Sequence, residues 1–392
     1  MPTVLVDLTP YQTTHRLRGI GRYVFDLAHG LGEALRARSR HGIRVLGLTW
    51  LDETGEGTVV EDLSALRPRG DARGLESADA RVRYGRRMHF GALARKVGAD
   101  LVHLTDARGT PLFGTRRVVT CHDLIPLRFA DRYLGWQDGF APIRRVRDQH
   151  RYSGADHIIA ISEETRLDLR RLLGVPDDRM SVVHNGIDLA RFSADSSPND
   201  AAIVAGYGLV RPYFVYVGAW EWRKNAEGMF GALAHARAEG SPLELAFVGQ
   251  LNAGERERLE GLAASMGVAG QVRALGFVPD EHLPALYRRS LGHVLVSIAE
   301  GFGLTLVEAM ASGTPLVASA GSSLAEVAGD AGVLVPTDDP RAIGDALLRL
   351  SSDASLRADL RRRGLVRAQD FSRERFAERT LAVYERLLSA KA

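Results

Sequence analysis

The sequence contains one cysteine, Cys121, in 392 residues. A single cysteine excludes a disulfide within the chain and any cysteine cluster for a metal ion, and this usage is typical of the reducing cytoplasm. Lysine is almost as rare, because only Lys96, Lys224 and Lys391 occur and arginine carries the rest of the positive charge. An interior lysine in such a chain is therefore worth considering for function.

Long apolar runs and targeting signals are also missing. No run approaches the roughly 18 apolar residues of a membrane-spanning helix, and the N-terminal residues lack the basic start and the cleavage site of a signal peptide. We therefore expect a cytoplasmic protein. The formal net charge of +3 is too small to indicate a nucleic-acid partner.

Several catalytic motifs do not occur. The chain has no Asp-x-Asp sequence and no His, Asp or Glu cluster with metal-ligand spacing, so we expect no metal site and no metal-bridged diphosphate. It has neither a Gly-x-Ser-x-Gly elbow nor a Gly-x-x-x-x-Gly-Lys loop. Serine hydrolase and P-loop chemistry are therefore disfavoured.

Short apolar runs rich in β-branched residues alternate with helical stretches along the chain. Near-continuous apolar strands are typical of parallel sheets covered on both faces, and the alternation predicts a doubly wound α/β fold. The predicted strands are Thr3–Val6, Ile43–Leu48, Leu101–Leu104, Arg117–Cys121, His157–Ile161, Ser181–His184, Tyr213–Val217, Leu243–Val248, Val272–Ala274, His293–Ser297, Pro315–Ala318 and Gly332–Val335.

Length and one polar break divide the chain. It exceeds one typical core, and residues 193–200, rich in Ser, Asp, Asn and Pro, have the composition of a linker. We predict an N-terminal α/β domain over residues 1–195 and a C-terminal one over 205–371. Residues 372–392 have the pattern of an amphipathic helix that needs a groove to pack in.

The most informative segment carries two carboxylates, Glu300 and Glu308, around a glycine-rich turn. A predicted strand precedes the turn, and an apolar helix follows it from about Gly303 or Leu304. The unpaired N–H groups and the dipole of such a helix start attract a phosphate. Glu308 would lie about one turn into the helix, on the face shared by a bound nucleotide, and Glu300 on the strand side. The alternative is a surface turn with two solvated acids.

A second segment, from Gly218 to Asn225, follows the first predicted strand of the C-terminal domain. It would place Arg223 and Lys224 at the carboxyl edge of the sheet, where open α/β sheets bind ligands. An adjacent Arg and Lys match the charge of a diphosphate. At the start of an ordinary helix the same pair would oppose the dipole.

Three weaker motifs complete the candidate set. Phe277 lies in a turn after a strand, where exposed backbone together with Leu283 would hold a flat base, although a plain turn has the same pattern. Gly19 and Gly21 open a helix and would let a phosphate or sugar approach closely. His122 ends a buried strand and would face the cleft expected between the domains, or serve as a satisfied structural histidine.

Four segments occur in a recognisable order: His184-Asn-Gly-Ile-Asp188, Arg223-Lys224-Asn225, Gly276-Phe277-Val278 and Glu300-x7-Glu308. Together they resemble retaining glycosyltransferases of family 4, which have the GT-B architecture of two Rossmann-like, doubly wound domains facing a central cleft. The resemblance covers nearly the whole chain. Residues 19–23 and 120–126 look most like the bacterial mannosyltransferase-type members.

The resemblance implies a role for the charged candidates. Glu308 would hold the ribose hydroxyls, and Glu300 would contact the donor sugar near the reacting carbon. Arg223 and Lys224 would neutralise the diphosphate leaving group, and His122 would lie over the sugar. The terminal helix would cross back to the N-terminal domain, as in GT-B folds.

The remaining candidates would bind the nucleotide, again by resemblance. Backbone N–H groups would add to diphosphate binding at Gly303, Leu304 and Thr305. The base would be bordered by Phe277, Val278 and Leu283. Gly21 would approach the diphosphate from the first domain.

The resemblance also implies the reaction. Retention would proceed by same-face attack, with the leaving phosphate taking the acceptor proton, so no cofactor and no dedicated nucleophile are expected. Two positions depart from the family pattern, because Ala219 stands where some relatives have Arg, and Thr305 where Pro or Val is common. The first departure would make diphosphate binding rest more heavily on Arg223 and Lys224.

The substrates are less determined. GDP-mannose is the donor favoured by resemblance, and a UDP-sugar-dependent glucosyl- or N-acetylglucosaminyltransferase is the alternative; a GT-B epimerase and a non-catalytic nucleotide-sugar binder are further ones. The acceptor would be a glycan, a lipid-linked sugar or a small molecule. Between Arg67 and Lys96, nine basic residues stand against three acidic ones. This segment is either a solvated loop or a landing surface for an anionic acceptor or for the inner face of an anionic membrane.

Overall fold

The computed structural model describes residues 1–17, 19–37, 42–67, 81–82, 85, 88–107, 115–133 and 141–389. The chain forms two compact units. The first comprises Met1–Gly186 together with Ser372–Ala392, and the second comprises Ile187–Phe371.

In the first unit, strands and helices alternate along the chain. The described strands are β1 Thr3–Asp7, β2 Arg44–Leu51, β3 Gly57–Val60, β4 Leu101–Leu104, β5 Arg116–Cys121, β6 His157–Ala160 and β7 Met180–Val182. The described helices are α1 Gly19–Ala37, α2 Phe90–Lys96, α3 Ile125–Arg128, α4 Ala130–Tyr133, α5 Ala141–Ser153, α6 Glu163–Leu173 and, at the end of the chain, α15 Arg373–Ser389. Short 3-10 turns lie at Thr9–Gln12, Thr14–Leu17, Leu63–Ala65 and Asp177–Arg179.

The sheet of the first unit has the strand order β3-β2-β1-β4-β5-β6-β7. Its neighbours are parallel except for β3, which pairs antiparallel with β2. The six predicted strands of this half are present, which confirms the doubly wound pattern, but the antiparallel edge strand was not predicted. β3 has only four residues, and the first two, Gly57 and Thr58, are exposed. It therefore lacks the buried apolar run that predicts a strand.

The second unit repeats the alternation. Its strands are β8 Tyr213–Val217, β9 Glu244–Val248, β10 Val272–Gly276, β11 Gly292–Leu295, β12 Leu316–Ser319 and β13 Gly332–Val335. Its helices are α7 Asp200–Gly206, α8 Ala226–Ala238, α9 Ala253–Ser265, α10 Leu283–Arg289, α11 Leu304–Ala311, α12 Ser322–Ala328, α13 Pro340–Ser352 and α14 Ala354–Ala368. Short 3-10 turns lie at Trp222–Lys224 and Gln369–Phe371. The sheet is parallel with the order β10-β9-β8-β11-β12-β13.

The first unit ends at Gly186, earlier than the predicted boundary at residue 195, and the polar segment 193–200 is not a free linker. Arginines of the second unit hold this segment. The guanidinium of Arg288 donates to the Ser193 carbonyl at 2.9 Å and to the Asp200 carboxylate at 2.7 Å, and Arg361 donates to the Ala194 carbonyl at 3.2 Å. Composition alone does not reveal such partners from distant helices.

The terminal helix α15 packs in the first unit. Its apolar face buries Phe376, Leu381 and Tyr384, and each such side chain contributes about 1.5–3 kcal/mol on burial. At its start, the Arg373 guanidinium donates to the Asp26 carboxylate of α1 at 2.9 and 3.1 Å. The groove that the amphipathic pattern requires is therefore in the first unit.

No helix in the described ranges combines the length and the apolar character that crossing a membrane requires.

Candidate active site

The second unit carries its candidate site at the point where its strand order reverses. Strands β8 and β11 are adjacent in the sheet although three helices and two strands separate them in sequence. The loops that follow them meet at the carboxyl edge, where the Ile298 N–H donates to the Arg223 carbonyl at 2.7 Å. Open α/β sheets bind their ligands at such a switch point.

Asn225 closes the loop after β8. Its φ of 59° lies in the left-handed region, which Asn tolerates better than most residues. Its side-chain oxygen caps α8 by accepting a first-turn N–H at 3.1 Å, and its amide donates to the carbonyls of Val296 and Thr337 at 3.1 and 2.7 Å. Arg223 and Lys224 therefore precede the helix in a 3-10 turn and do not occupy its first turn.

Glu300 joins both cations of this loop. Its carboxylate accepts from Arg223 Nη1 at 2.8 Å and from Lys224 Nζ at 2.5 Å, and the Ser297 hydroxyl adds a third bond at 2.8 Å. The side chains of Arg223, Lys224 and Glu300 are only 17%, 15% and 9% exposed. Arg223 Nε also donates to the more exposed Glu221 at 2.7 Å. The structure therefore gathers three of the predicted site residues into one ion cluster.

The cluster carries less positive charge than the Arg223–Lys224 pair alone, which the sequence predicts as the diphosphate site. Burial favours the neutral acid at Glu300, but the charges of Lys224 and Arg223 outweigh it and hold the pKa of the carboxyl below its ordinary value. Glu300 is therefore ionised, and the three groups sum to one positive charge. A diphosphate would compete with Glu300 for the donors of Arg223 and Lys224, which the sequence pattern did not indicate.

A glycine turn leads from Glu300 into α11. Gly303 has a φ of 103°, and a Cβ there would lie 2.5 Å from a methyl of Leu324, so the turn requires glycine. The first intrahelical bond joins the Leu306 N–H to the Gly303 carbonyl at 2.9 Å. The N–H groups of Gly303, Leu304 and Thr305 precede it, and they form the positive end of the helix dipole.

The side chain of Thr305 serves the interior. Its hydroxyl lies 3.2 Å from His293 Nε2, and His293 Nδ1 lies 2.9 Å from the Val215 carbonyl. Because a carbonyl only accepts, Nδ1 carries the proton and Nε2 accepts from Thr305. Burial lowers the pKa of His293 to about 4, which keeps the ring neutral. His293 was not a candidate, because it lies inside a run that reads as a plain buried strand.

Glu308 is fully buried on α11. The hydroxyl of Tyr287, on α10, donates to its carboxylate at 3.1 Å, and the Tyr287 ring stands at 89° to the His293 ring with centroids 5.4 Å apart. The exposure expected for a residue on a ligand face is therefore not found, because α10 covers this part of α11. The ribose contact stays a prediction.

The three residues expected to border the base have different environments. Phe277 follows β10 and is 68% exposed, whereas Val278 and Leu283 are 4% and 3% exposed. Only Phe277 thus presents its side chain to solvent. β10 is the edge strand and lies three strand positions from β11, about 14 Å away at the usual spacing. The structure does not bring these residues into contact with the ion cluster, and an extended ligand would have to join the two places.

In the first unit, His122 follows β5 at the carboxyl edge of the sheet. Its Nε2 lies 2.8 Å from the Thr105 carbonyl, so this nitrogen carries a proton and donates to that carbonyl. The Tyr23 ring stands at 89° to the imidazole, with centroids 4.7 Å apart. The predicted position at a strand end is confirmed.

Gly21 has a role within the chain. A Cβ on Gly21 would lie 2.5 Å from the Arg16 Cα and the His15 carbonyl oxygen. The missing side chain therefore lets α1 pack on the preceding 3-10 turn. Close approach of a diphosphate to this glycine stays a prediction.

Supporting residues of the site were missed by sequence reasoning. The buried Ser323 hydroxyl holds the turn after Glu300 through the carbonyls of Glu300 and Phe302, at 3.0 and 3.2 Å. Ser322 beside it has a φ of 59°, a strained value for a residue other than glycine. Serines near a glycine read as ordinary loop residues, so only backbone strain and contacts distinguish them.

Within the described residues, no three or more His, Cys, Asp or Glu side chains are arranged to hold a metal ion.

Comparison with known proteins identifies the two units. Residues 17–191 match the model of Glycosyltransferase Family 4, and residues 208–367 match Glycosyl transferases group 1. The O-antigen chain mannosyltransferase B of Escherichia coli is 33% identical over 59% of this chain and 60% of its own length. D-inositol 3-phosphate glycosyltransferase 1 of Catenulispora acidiphila is 32% identical over 74% of this chain and 70% of its own length. The chain thus spans between about 60% and 70% of these relatives.

A solved structure supports the fold. Alr3699/HepE of Anabaena, in complex with UDP and glucose, superposes with a TM-score of 0.68 over 98% of this chain and 99% of that one. Its 17% identity shows the fold alone, which confirms the two Rossmann-like units expected of GT-B. With its family models and an inositol phosphate glycosyltransferase relative matched over most of both chains, this chain belongs to glycosyltransferase family 4.

Proposed function

We propose that this glycosyltransferase moves a hexosyl group from a nucleotide-sugar with retention of configuration and without a metal ion. The observation that carries the proposal is the ion cluster of Arg223, Lys224 and Glu300 beside the N-terminus of α11. Cleavage of a glycosyl–phosphate bond develops negative charge on the diphosphate. Two largely covered cations and a helix N-terminus stabilise that charge electrostatically.

In the proposed step, Arg223 and Lys224 of the ion cluster exchange one hydrogen-bond partner for another. A diphosphate takes donors of Arg223 and Lys224 from Glu300, and the released carboxylate accepts from a hydroxyl of the donor sugar. The acceptor oxygen attacks the anomeric carbon on the face that the diphosphate leaves. As the carbon–oxygen bond to the phosphate breaks, the leaving phosphate takes the acceptor proton. His122 contacts the sugar in this proposal, and Glu308 the ribose.

GDP-mannose is the proposed donor, and the support is the mannosyltransferase named among the relatives. A UDP-sugar is the second candidate, because Alr3699/HepE was solved with UDP and glucose. The phosphate-binding groups of the second unit suit either nucleotide. Discrimination between the bases would fall to the surroundings of Phe277, the exposed residue after β10.

The acceptor in this proposal is a glycan, a lipid-linked sugar or a small molecule. Most of the basic segment from Arg67 to Lys96 lies outside the described residues. On α5, Ile143 and Val146 are 64% and 65% exposed and stand beside the exposed Arg145. An apolar pair next to an arginine supports peripheral contact with an anionic membrane, where a lipid-linked acceptor would be reached.

The test is a donor panel of GDP-mannose, UDP-glucose and UDP-N-acetylglucosamine, incubated in EDTA with glycan, lipid-linked and small-molecule acceptors. We expect GDP release from GDP-mannose and a product whose anomeric configuration, read by NMR, equals that of the donor. Lys224→Ala should reduce turnover about a hundred-fold or more while the fold, checked by circular dichroism, stays intact. Strict dependence on a divalent metal, or a product of inverted anomeric configuration, would contradict the proposed mechanism. Binding without turnover would favour a nucleotide-sugar binder, and an epimerised free donor an epimerase.

A further inference from the structure

A chain of buried hydrogen bonds runs through the first unit and ends beside His122. The Tyr384 hydroxyl of α15 lies 2.5 Å from His103 Nδ1, on β4, and His103 Nε2 lies 2.8 Å from the Thr120 hydroxyl, on β5. Thr120 in turn lies 2.7 Å from the Tyr23 hydroxyl, on α1. All four side chains are 0% exposed. Two neighbouring strands and the first and last helices of the chain therefore meet in one polar line inside an apolar core.

The chain of bonds is complete when His103 is neutral. Burial lowers the pKa of His103 to about 3, so the ring has one donating and one accepting nitrogen near neutral pH. The Thr120 hydroxyl then accepts from one neighbour and donates to the other, so the three bonds run in one direction along the line. Loss of a member leaves a buried partner unsatisfied at a cost of about 1–3 kcal/mol.

Four apolar side chains would fill the same space without the cost of an unsatisfied polar group. The polar line therefore calls for a functional explanation. Fully satisfied buried networks hold their members in one arrangement more strictly than apolar packing does. The member at the end of this line, Tyr23, touches the one residue of the unit that is a catalytic candidate.

The Tyr23 ring constrains the His122 imidazole directly. The two rings are perpendicular, at 89°, with centroids 4.7 Å apart, and Phe376 of α15 packs against Tyr23 with centroids 5.2 Å apart. A second constraint on the imidazole is the hydrogen bond from His122 Nε2 to the Thr105 carbonyl, at 2.8 Å. One contact sets which nitrogen is protonated, and the other sets the plane of the ring.

We propose that Tyr23 is a positioning residue for His122, and that its hydroxyl, anchored through Thr120 and His103 to Tyr384, keeps the imidazole in the orientation in which it meets the donor sugar. The inference rests on the proposed function only in assigning that contact to His122. The terminal helix thereby takes part in shaping the site of the first unit.

Tyr23→Phe tests the proposal, because it keeps the ring and removes only the hydroxyl. We expect kcat to fall about ten-fold, which corresponds to about 1.4 kcal/mol, while KM for the donor changes less than two-fold. Tyr384→Phe should act in the same direction from the far end of the line. Tyr213→Phe is the matched control, since it removes a buried tyrosine hydroxyl that bonds the Leu286 carbonyl at 2.9 Å in the other unit.

A double-mutant cycle separates positioning from general stability. In a His122→Ala background, Tyr23→Phe should cause no further loss of the residual turnover, because the ring that it positions is gone. An equal loss in both backgrounds, or a kcat of Tyr23→Phe equal to that of the wild type, would overturn the proposal.

A spectroscopic measurement keeps the test independent of turnover. Nitrogen-15 NMR of labelled histidines should show the His122 ring signals, assigned with His122→Gln, shifted or broadened in Tyr23→Phe and unchanged in Tyr213→Phe. Unaltered His122 signals would refute the positioning role even if no donor is turned over. A wild-type protein inactive with every donor would instead count against the proposed function alone.

Discussion

At the scale of single residues, Glu300 decides how the two cations of the second unit are presented. Breaking a buried ion pair by removing one partner is costly, because the other charge stays desolvated. Here both cations pair with the Glu300 carboxylate, with side chains that are at most 17% exposed, although Arg223 also pairs with Glu221. In the proposed step a diphosphate replaces the same carboxylate, so Glu300 would be both a structural partner of Arg223 and Lys224 and their competitor for the ligand.

Glu300→Gln is expected to lower turnover about a hundred-fold, because a neutral amide neither orients both cations nor accepts as strongly from a sugar hydroxyl. The measurement is kcat/KM for the donor, with the melting temperature recorded alongside. Glu244→Gln is the control, since Glu244 is also buried and pairs with Arg211, but at the amino end of β9. Turnover of Glu300→Gln within two-fold of Glu244→Gln would contradict the role.

At the scale of elements, the close contact between α1 and α15 depends on Gly30. A Cβ on Gly30 would lie 2.8 Å from the Arg373 carbonyl oxygen and 3.1 Å from the Ala377 Cβ. The glycine thus costs helix propensity in α1 and is retained because the terminal helix passes directly over it. The Arg373–Asp26 ion pair, with side chains 10% and 11% exposed, lies at the same crossing.

Gly30→Ala should destabilise the protein by about 1–3 kcal/mol, because overpacking at the crossing outweighs the gain in helix propensity. Gly261→Ala is the matched variant, since Gly261 is exposed in α9 and no atom lies within 4 Å of a Cβ built there. It should stabilise by about 0.5–1 kcal/mol. Urea unfolding of both variants checks this, and a stabilised Gly30→Ala would show that the crossing is looser than described.

At the same scale, the sequence predicted elements well and boundaries less well. The twelve predicted strands exist because apolar runs of three to six residues are a local signal. The edge strand β3 was missed because its residues are partly exposed, and the domain boundary was misplaced because arginines of α10 and α14 hold the polar segment against the second unit. Both errors arise where a distant element, not the local pattern, decides the structure.

At the scale of the whole molecule, buried histidines couple stability to pH in both units. Burial lowers the pKa of His103 to about 3, and of His157 and His293 to about 4. In the unfolded chain each titrates near the ordinary value of about 6.5, so acid adds protons to the unfolded state first. Their contribution to stability is therefore complete above pH 6.5 and is lost as the pH falls toward 4. Asp168, whose pKa burial raises to about 6, opposes this loss.

The free energy of unfolding should thus fall between pH 7.5 and pH 5, with each fully buried histidine contributing about 2 kcal/mol to the loss. Urea titrations followed by circular dichroism at the two pH values measure it. His293→Gln should flatten the dependence, whereas His150→Gln, at an exposed position of α5, should leave it unchanged. Equal unfolding free energies of the wild type at both pH values would refute the prediction.

The sequence by itself determined the alternation of strands and helices, the glycine turn before α11 and the identity of the charged residues at the strand ends, because each of these depends on a few neighbouring positions. Only the tertiary structure decided that Arg223 and Lys224 share the carboxylate of Glu300, 76 residues beyond Lys224, and that His103 and Tyr384, 281 residues apart, meet in one buried line. Such contacts follow from strand order and helix packing. Local patterns of apolar and polar residues do not encode contacts between residues so far apart in sequence.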